Sequence, residues 1–262
     1  MDIFLCQLTR YKLFLVYSMD SLYKFQYILG YKHKDKTLQI HEGHKNARKF
    51  FNSKTASSYD SVVRLTTFGQ DYLWKNHILG LLDKRETILD LACGTGILSS
   101  LLSKNNKKQV IGLDLALDYL KIAKTKTRNC LFINGNAETL PYRCNSFDTI
   151  ISSYLAKYVH IGELIEECWR ILKHNGIIVF HDFIYPQNVI FRKLWDAYFV
   201  VLQIFGKFSA SWRVVFRDLN KVIRNTKWVK EMMYILHQAG FKSISCTFYT
   251  MQTAAIISAK KP

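Results

Sequence analysis

From Lys84 onward the chain alternates short apolar runs with stretches of helical period, and a layered α/β sheet is the architecture that satisfies this pattern throughout. "TILDLA" (87–92), "QVIGLD" (109–114) and "FDTIISS" (147–153) read as buried strands, as do "CLFINGNA" (130–137, with its exit loop) and "NGIIVFHDF" (175–183, with its leading turn). Between them, Gly96 to Lys104, residues 116–126 and about Ile161–Leu172 read as helices. The last of these lines up Leu164, Ile165, Cys168 and Leu172 on one face. A helix over Trp228–Gln238, an Ala-Gly-Phe turn and two strands near 243–250 and 252–259 follow. The expectation is a doubly wound, mostly parallel seven-stranded sheet, which takes its ligands outside the carboxyl ends of its strands.

Three predicted strand exits then converge on one crevice: residues 92–96, 114–115 and 135–137. In "LDLACGTGILSS" (89–100), Gly94 and Gly96 stand where a strand hands over to a helix, in a chain with only 12 glycines. Glycine there lets the backbone turn through positive φ and lets a ligand approach closely. Asp114, about 20 residues past the turn, can accept from ribose hydroxyls. Asn136 can read an adenine amino group, and the Ala137 N–H can donate to a ring nitrogen. A dinucleotide is disfavoured, because the Gly94-Thr95-Gly96-Ile97-Leu98-Ser99 run lacks the small third residue of that fingerprint; a P-loop lysine is also missing. Asp90 would repel pyrophosphate and suit an ammonium. S-adenosylmethionine, with an amino group, a sulfonium and no phosphate, fits. Ala92 and Leu115 complete the loop positions expected to touch it.

The chain carries 37 Lys+Arg against 20 Asp+Glu, a net +17. Residues 1–54 hold ten basic against four acidic side chains and residues 186–230 nine against two, so these stretches supply +13 of that excess. The basic character belongs to the periphery, and it favours anionic surfaces. Six scattered cysteines without a C-x-x-C pair are expected to be reduced thiols, with no zinc or other metal site, in a cytoplasmic protein. The opening "MDIFLCQLTRYKLFLVYSMD" is interrupted by Arg10 and Lys12 and suits neither a signal peptide nor a membrane span; Met19 is an alternative start. Residues 1–46 are expected to be a partly ordered basic extension and 47–262 the main domain.

The segments "ILDLACGTG", "GLD", "GNAETLPYRCNSFD" and "RILKHNG" resemble the successive motifs of class I S-adenosylmethionine-dependent methyltransferases, with their Rossmann-like fold. "FNSKTASSYDSVVRLTTFGQDYLWK" (51–75), "LWDAYFVVLQIFG" (194–206), "FRDLNKVIRN" (216–225) and "MMYILHQAGF" (232–241) resemble more specific parts of the ubiquinone/menaquinone biosynthesis C-methyltransferase family. The resemblance covers about residues 47–260. It implies cofactor contacts at Thr95, Asp114, Asn136 with Ala137, and Ser153, and it places Tyr59 against the substrate ring. Two departures fall on the substrate side: Val63 stands where the family has Asn, and Lys157-Tyr158 where it has Arg-Asn.

The implied reaction is C-methylation of a prenylated quinol such as demethylmenaquinol, by in-line displacement from S-adenosylmethionine. Positioning supplies most of the barrier reduction, roughly 7–11 kcal/mol. Candidates for the base that ionises the phenol are His160, His181, Asp182 or a water held by Tyr59. An insertion at about 184–227, apolar and basic together, is expected to act as a helical lid that also touches an anionic membrane surface. Other expectations are a cytoplasmic location at the inner face of the membrane and a homodimer. Methylation of another small molecule, methylation of nucleic acid and non-catalytic cofactor binding are the alternatives; no base-flipping motif supports the second.

Overall fold

A computed structural model of the chain describes residues 43–82, 86–104 and 108–262. The sheet has seven strands: β1 (Thr87–Leu91), β2 (Gln109–Asp114), β3 (Cys130–Asn134), β4 (Phe147–Ser153), β5 (Leu172–Phe183), β6 (Lys242–Tyr249) and β7 (Ala254–Lys260). Their spatial order is β3-β2-β1-β4-β5-β7-β6. β1 through β5 run parallel, while β7 lies antiparallel to both β5 and β6. The expected doubly wound sheet is present.

Side chains alternate across each strand, so neighbouring residues feed opposite layers. Leu89, Leu113, Ile150 and Ile178 pack under α7 (Ile161–Ile171) and α10 (Trp228–Gln238). Ile88, Val110, Ile151 and Val179, each an odd number of positions away on the same strand, pack under α4 (Gln70–Gly80) and α5 (Ile97–Leu102). Trp228, Met232 and Leu236 close the first layer and Trp74 and Ile78 the second. Each fully buried aliphatic side chain contributes about 1.5–3 kcal/mol of transfer free energy. α6 (Leu117–Lys126) connects β2 to β3.

Two boundaries differ from the sequence reading. β5 begins at Leu172, directly off α7, where sequence placed a turn at 175; Asn175 takes φ 61° inside the strand, next to the register shift against β4. A helix, α1, spans 43–50 and so runs across the expected boundary at 46/47. Its Phe50 is fully buried against Tyr158, Trp212, Val215 and Phe216. The rest of the expected extension lies outside the described residues. α2 (Ser53–Ala56) and α3 (Tyr59–Thr66) follow.

The insertion forms a helical hairpin, α8 (Val189–Gly206) and α9 (Arg213–Asn225). Trp195 Nε1 donates to Asn220 Oδ1 at 2.8 Å, and Trp195, Phe199 and Ile223 form its seam. Among the described residues no helix is long and apolar enough to cross a membrane. Cys93, Cys130, Cys168 and Cys246 are free thiols; Cys144 is disulfide-bonded, which corrects the expectation of reduced thiols throughout. No spacing motif in the sequence signals that bond.

Candidate active site

The turn after β1 bends through left-handed backbone three times, at Ala92 (φ 53°), Gly94 (φ 56°) and Gly96 (φ 73°). Gly96 has no alternative: a Cβ there would sit 2.9 Å from that of Ala123. Gly94 is different, since a Cβ would meet only the Tyr119 ring at 3.7 Å; its bareness leaves open space at the rim. Asp90, at the end of β1, is buried and accepts from Ser99 Oγ at 2.6 Å. Burial outweighs that bond and pushes its carboxyl up to about 7.

Asp114 ends β2 beside this turn. Its two oxygens accept from the Gly94 and Ala116 backbone N–H groups, each at 2.7 Å. Burial raises its pKa while these bonds oppose the rise. Each carboxylate oxygen keeps a further acceptor site free for a hydroxyl. Leu115 is part-exposed next to it. At the exit of β3, Ala137 is buried, and Asn136 Oδ1 accepts from the Glu138 N–H at 3.1 Å. The structure thus brings Asp90, Ala92, Gly94, Thr95, Gly96, Asp114, Leu115, Asn136 and Ala137 to the carboxyl ends of three adjacent strands. An open glycine, a half-buried carboxylate facing the turn and a second, buried acid suit a nucleoside with an amino-acid tail. Among the described residues no cluster could hold a metal ion.

Thr95 is placed differently from a direct ligand. Its hydroxyl donates to Asp60 Oδ1 at 2.5 Å, and the other Asp60 oxygen pairs with Lys126 of α6. Asp60, which the sequence alone does not single out, ties α3 to the glycine turn. Glu138 was also missed. It accepts from the His160 backbone N–H at 2.7 Å and pairs with His44 of α1 at 2.5 Å, so α1 is fastened over the same rim.

Ser153 ends β4 and shares a hydrogen bond of 2.8 Å with His181 Nδ1. His181 is buried, its Nε2 has no partner, and burial holds its pKa well below the ordinary imidazole value, so it is neutral. His160 serves as the α7 cap, accepting from the Glu163 N–H at 3.3 Å. Asp182 is paired with Lys157, both fully buried, at 2.5 Å. Burial raises the acid and lowers the amine, and the pairing opposes both. A second buried pair, Asp71 with Lys75, accepts from the Tyr154 hydroxyl at 2.7 Å. Both ammonium groups face the Tyr154 ring, at 5.1 and 5.3 Å from its centre.

Between α3, the α8–α9 hairpin and the 250–253 turn lies a cavity of about 410 Å³. Its walls are mostly aliphatic and aromatic with four threonines, and among the described residues Lys157 is the one charged side chain in them. Val63 and the Lys157-Tyr158 pair, the two departures from the family pattern, all line it. Tyr59 stands at its inner end, with ring centres of Tyr119, Phe51 and Trp212 at 5.3, 6.1 and 6.3 Å. Burial raises the Tyr59 phenol well above its ordinary pKa, which keeps it protonated.

A family model described as the ubiE/COQ5 methyltransferase family matches residues 39–261. A demethylmenaquinone methyltransferase of Staphylococcus epidermidis is 28% identical over 210 residues, covering 77% of this chain and 87% of that protein. One from Oceanobacillus iheyensis is 29% identical over 211 residues, with 76% and 89% covered. Among solved structures, a SAM-dependent methyltransferase from Thermotoga maritima superposes with TM-score 0.59 at 18% identity, over 82% of this chain and 100% of that one. Geranyl diphosphate C-methyltransferase from Streptomyces coelicolor gives 0.56 at 12% identity, over 73% and 79%.

Proposed function

Because the chain belongs to the ubiE/COQ5 methyltransferase family and is an S-adenosylmethionine-dependent methyltransferase, we propose that it C-methylates the ring of a prenylated quinol of the demethylmenaquinol type. The observation that carries this reading is the cavity of about 410 Å³, lined mostly by aliphatic and aromatic side chains, with Tyr59 and Lys157 both in its wall. Water-soluble acceptors would leave such walls unsatisfied, whereas a quinol with a hydrocarbon tail matches them. The relatives named for demethylmenaquinone support the same substrate class.

S-adenosylmethionine supplies an activated methyl group on a sulfonium. Asp114 accepts from its ribose, Asp90 answers its ammonium, Asn136 and Ala137 take the adenine edge, and Ser153 stands near the reacting end. Gly94 and Gly96 give the backbone its close approach, and Thr95 holds the turn through Asp60. Ala92 and Leu115 flank the ligand. Tyr59 packs edge-on against Phe51 and Tyr119 and presents its protonated hydroxyl to the substrate side.

The phenol proton passes to a water held by Tyr59, the neighbouring ring carbon bonds to the methyl group as the C–S bond breaks and S-adenosylhomocysteine leaves, and the proton on the methylated carbon is then lost to water, which restores the aromatic ring. Lys157 is placed to hold that oxygen as a phenolate, with Asp182 fixing the ammonium from behind. In a dry pocket a fixed cation acts at low dielectric and needs no reorganisation. His181 is neutral and His160 caps a helix, so neither carries the charge. The α8–α9 hairpin acts as the lid that closes the cavity over the tail.

Incubating the protein with methyl-labelled S-adenosylmethionine and a bacterial lipid extract should yield one labelled quinone, heavier by a methyl group on the ring in mass spectra. Label found only in a polar product would favour a different small-molecule acceptor, which the Val63 and Tyr158 exchanges allow. S-adenosylmethionine binding without any labelled product would favour a non-catalytic binder.

A further inference from the structure

α8 is apolar on two faces. One faces inward: Trp195 and Phe199 are buried, and Phe191, Tyr198 and Leu202 line the cavity. The other faces out. Ile190, Leu194, Ala197, Val201 and Ile204 recur in alternating four- and three-residue steps, so they form one stripe down the helix, and Phe208 follows in the turn just past its end. All six are exposed, Phe208 by 87%. Val200 and Phe205, exposed by 56% and 64%, stand beside the stripe and widen it beyond the narrow seam that a partner helix would need. At 1.5 Å per residue the helix runs about 27 Å. A patch of this kind on a water-facing surface marks an interaction site.

Cations border it. Lys193 and Lys207 flank the stripe, and α9 adds Arg213, Arg217, Lys221 and Arg224, all exposed and spaced to share one helix side. Arg213 is fastened to the end of α8 by its bond to the Lys207 carbonyl, at 2.9 Å. Asp196 and Asp218, the only acids in residues 186–230, pair with Arg224 at 3.4 Å and with Arg217 at 2.7 Å, which leaves Lys193, Lys207, Arg213 and Lys221 as the excess positive charge of this face. Two copies meeting through this face would bring like charges together, whereas an anionic surface would neutralise them.

We propose that the outer face of the α8–α9 hairpin docks on an anionic lipid bilayer, with α8 lying in the headgroup plane and the cationic rim on the phosphates. This is how amphipathic interfacial helices bind, and each cation near such a surface contributes roughly 1 kcal/mol. The docked face reaches the cavity mouth. Leu194 belongs both to the stripe and to the cavity wall, and across from α8 the cavity-lining Phe68 is 79% exposed. Phe68 approaches Tyr198 at 6.0 Å between ring centres, and the Tyr198 hydroxyl donates to the Thr66 carbonyl. Leu194 and Phe68 thus give the cavity wall an apolar exposed edge on the side of the docked face. The docking claim adds a partner to the proposed reaction and is tested without it.

The test is co-sedimentation of the full chain with phosphatidylcholine vesicles, with and without phosphatidylglycerol, at low and high salt. The expected result is binding to the mixed vesicles that weakens with salt. The double variant Val201→Glu, Phe205→Glu should lower that partition about ten-fold or more. Both side chains lie outside the cavity wall, so melting temperature and S-adenosylhomocysteine affinity should stay at the parent values. Unchanged partition by the variant overturns the proposal, as does binding to neutral vesicles as strong as to anionic ones. A dimer that the variant dissolves, with no vesicle binding by the parent, overturns it in favour of a second copy.

Discussion

Thr95 Oγ1 donates to Asp60 Oδ1 across 2.5 Å, joining the glycine turn to the first turn of the helix that carries Tyr59. Thr95→Val keeps the shape and removes the bond. A lost hydrogen bond to a part-exposed acid costs about 1 kcal/mol, so S-adenosylhomocysteine affinity should fall roughly five-fold. Isothermal titration reads the change; parent affinity in this variant would mean that the link does not shape the site.

Asp114→Ala removes the only carboxylate set between the Gly94 and Ala116 amides. Two charge-assisted bonds to a ribose together exceed about 3 kcal/mol, so the same titration should show a loss of about 100-fold or more. Asp114→Asn, which keeps acceptor capacity without charge, should fall in between. The melting temperature separates a binding defect from a folding one.

Lys157 and Asp182 are expected to behave asymmetrically. Asp182→Ala strands a buried ammonium and should destabilise the fold by about 3–5 kcal/mol in urea titration. Adding Lys157→Met to Asp182→Asn leaves no buried charge and should recover most of that loss. Turnover of the quinol should nevertheless stay about 100-fold down, because the phenolate then has no cation. Recovery of turnover together with stability would assign the pair to structure alone.

Asp90 predicts the sign of a pH effect. Its folded pKa, about 7, lies above the ordinary carboxyl value of 3.8, so between these values the folded state holds a proton that the unfolded state has released. Stability from this group is therefore complete below about pH 4 and declines as pH rises towards 7, by on the order of 4 kcal/mol. Asp90→Asn cannot lose a proton, so its urea midpoint should fall less than the parent's from pH 5 to 8. Equal slopes would contradict the assignment.

The sheet and the glycine turn are legible in the sequence because both are local. Alternation along "TILDLA" or "QVIGLD", and two glycines within three residues, need no distant partner to be read. Asp60 and Thr95 lie 35 positions apart, Lys157 and Asp182 25. Their pairing depends on which helix ends meet the same rim, and residue periodicity carries no such information. Asp60 goes unnoticed in the sequence because its own helix start is the only partner visible along the chain. The start of α1 was lost for a related reason: mixed charge masks the period, and only Phe50, buried among α9 residues, shows that the segment belongs to the domain.

β7 follows β6 in the chain yet lies between β6 and β5, paired with both. β6 therefore has no place to dock until residues 254–260 have been made and have paired. During synthesis or refolding, the long edge of β5 stays bare through the interval in which every other parallel strand can already be seated. Strand edges left open in this way recruit other chains. Aggregation during expression should accordingly be governed by how quickly the final hairpin forms, and not by the assembly of the half built from β1 to β4.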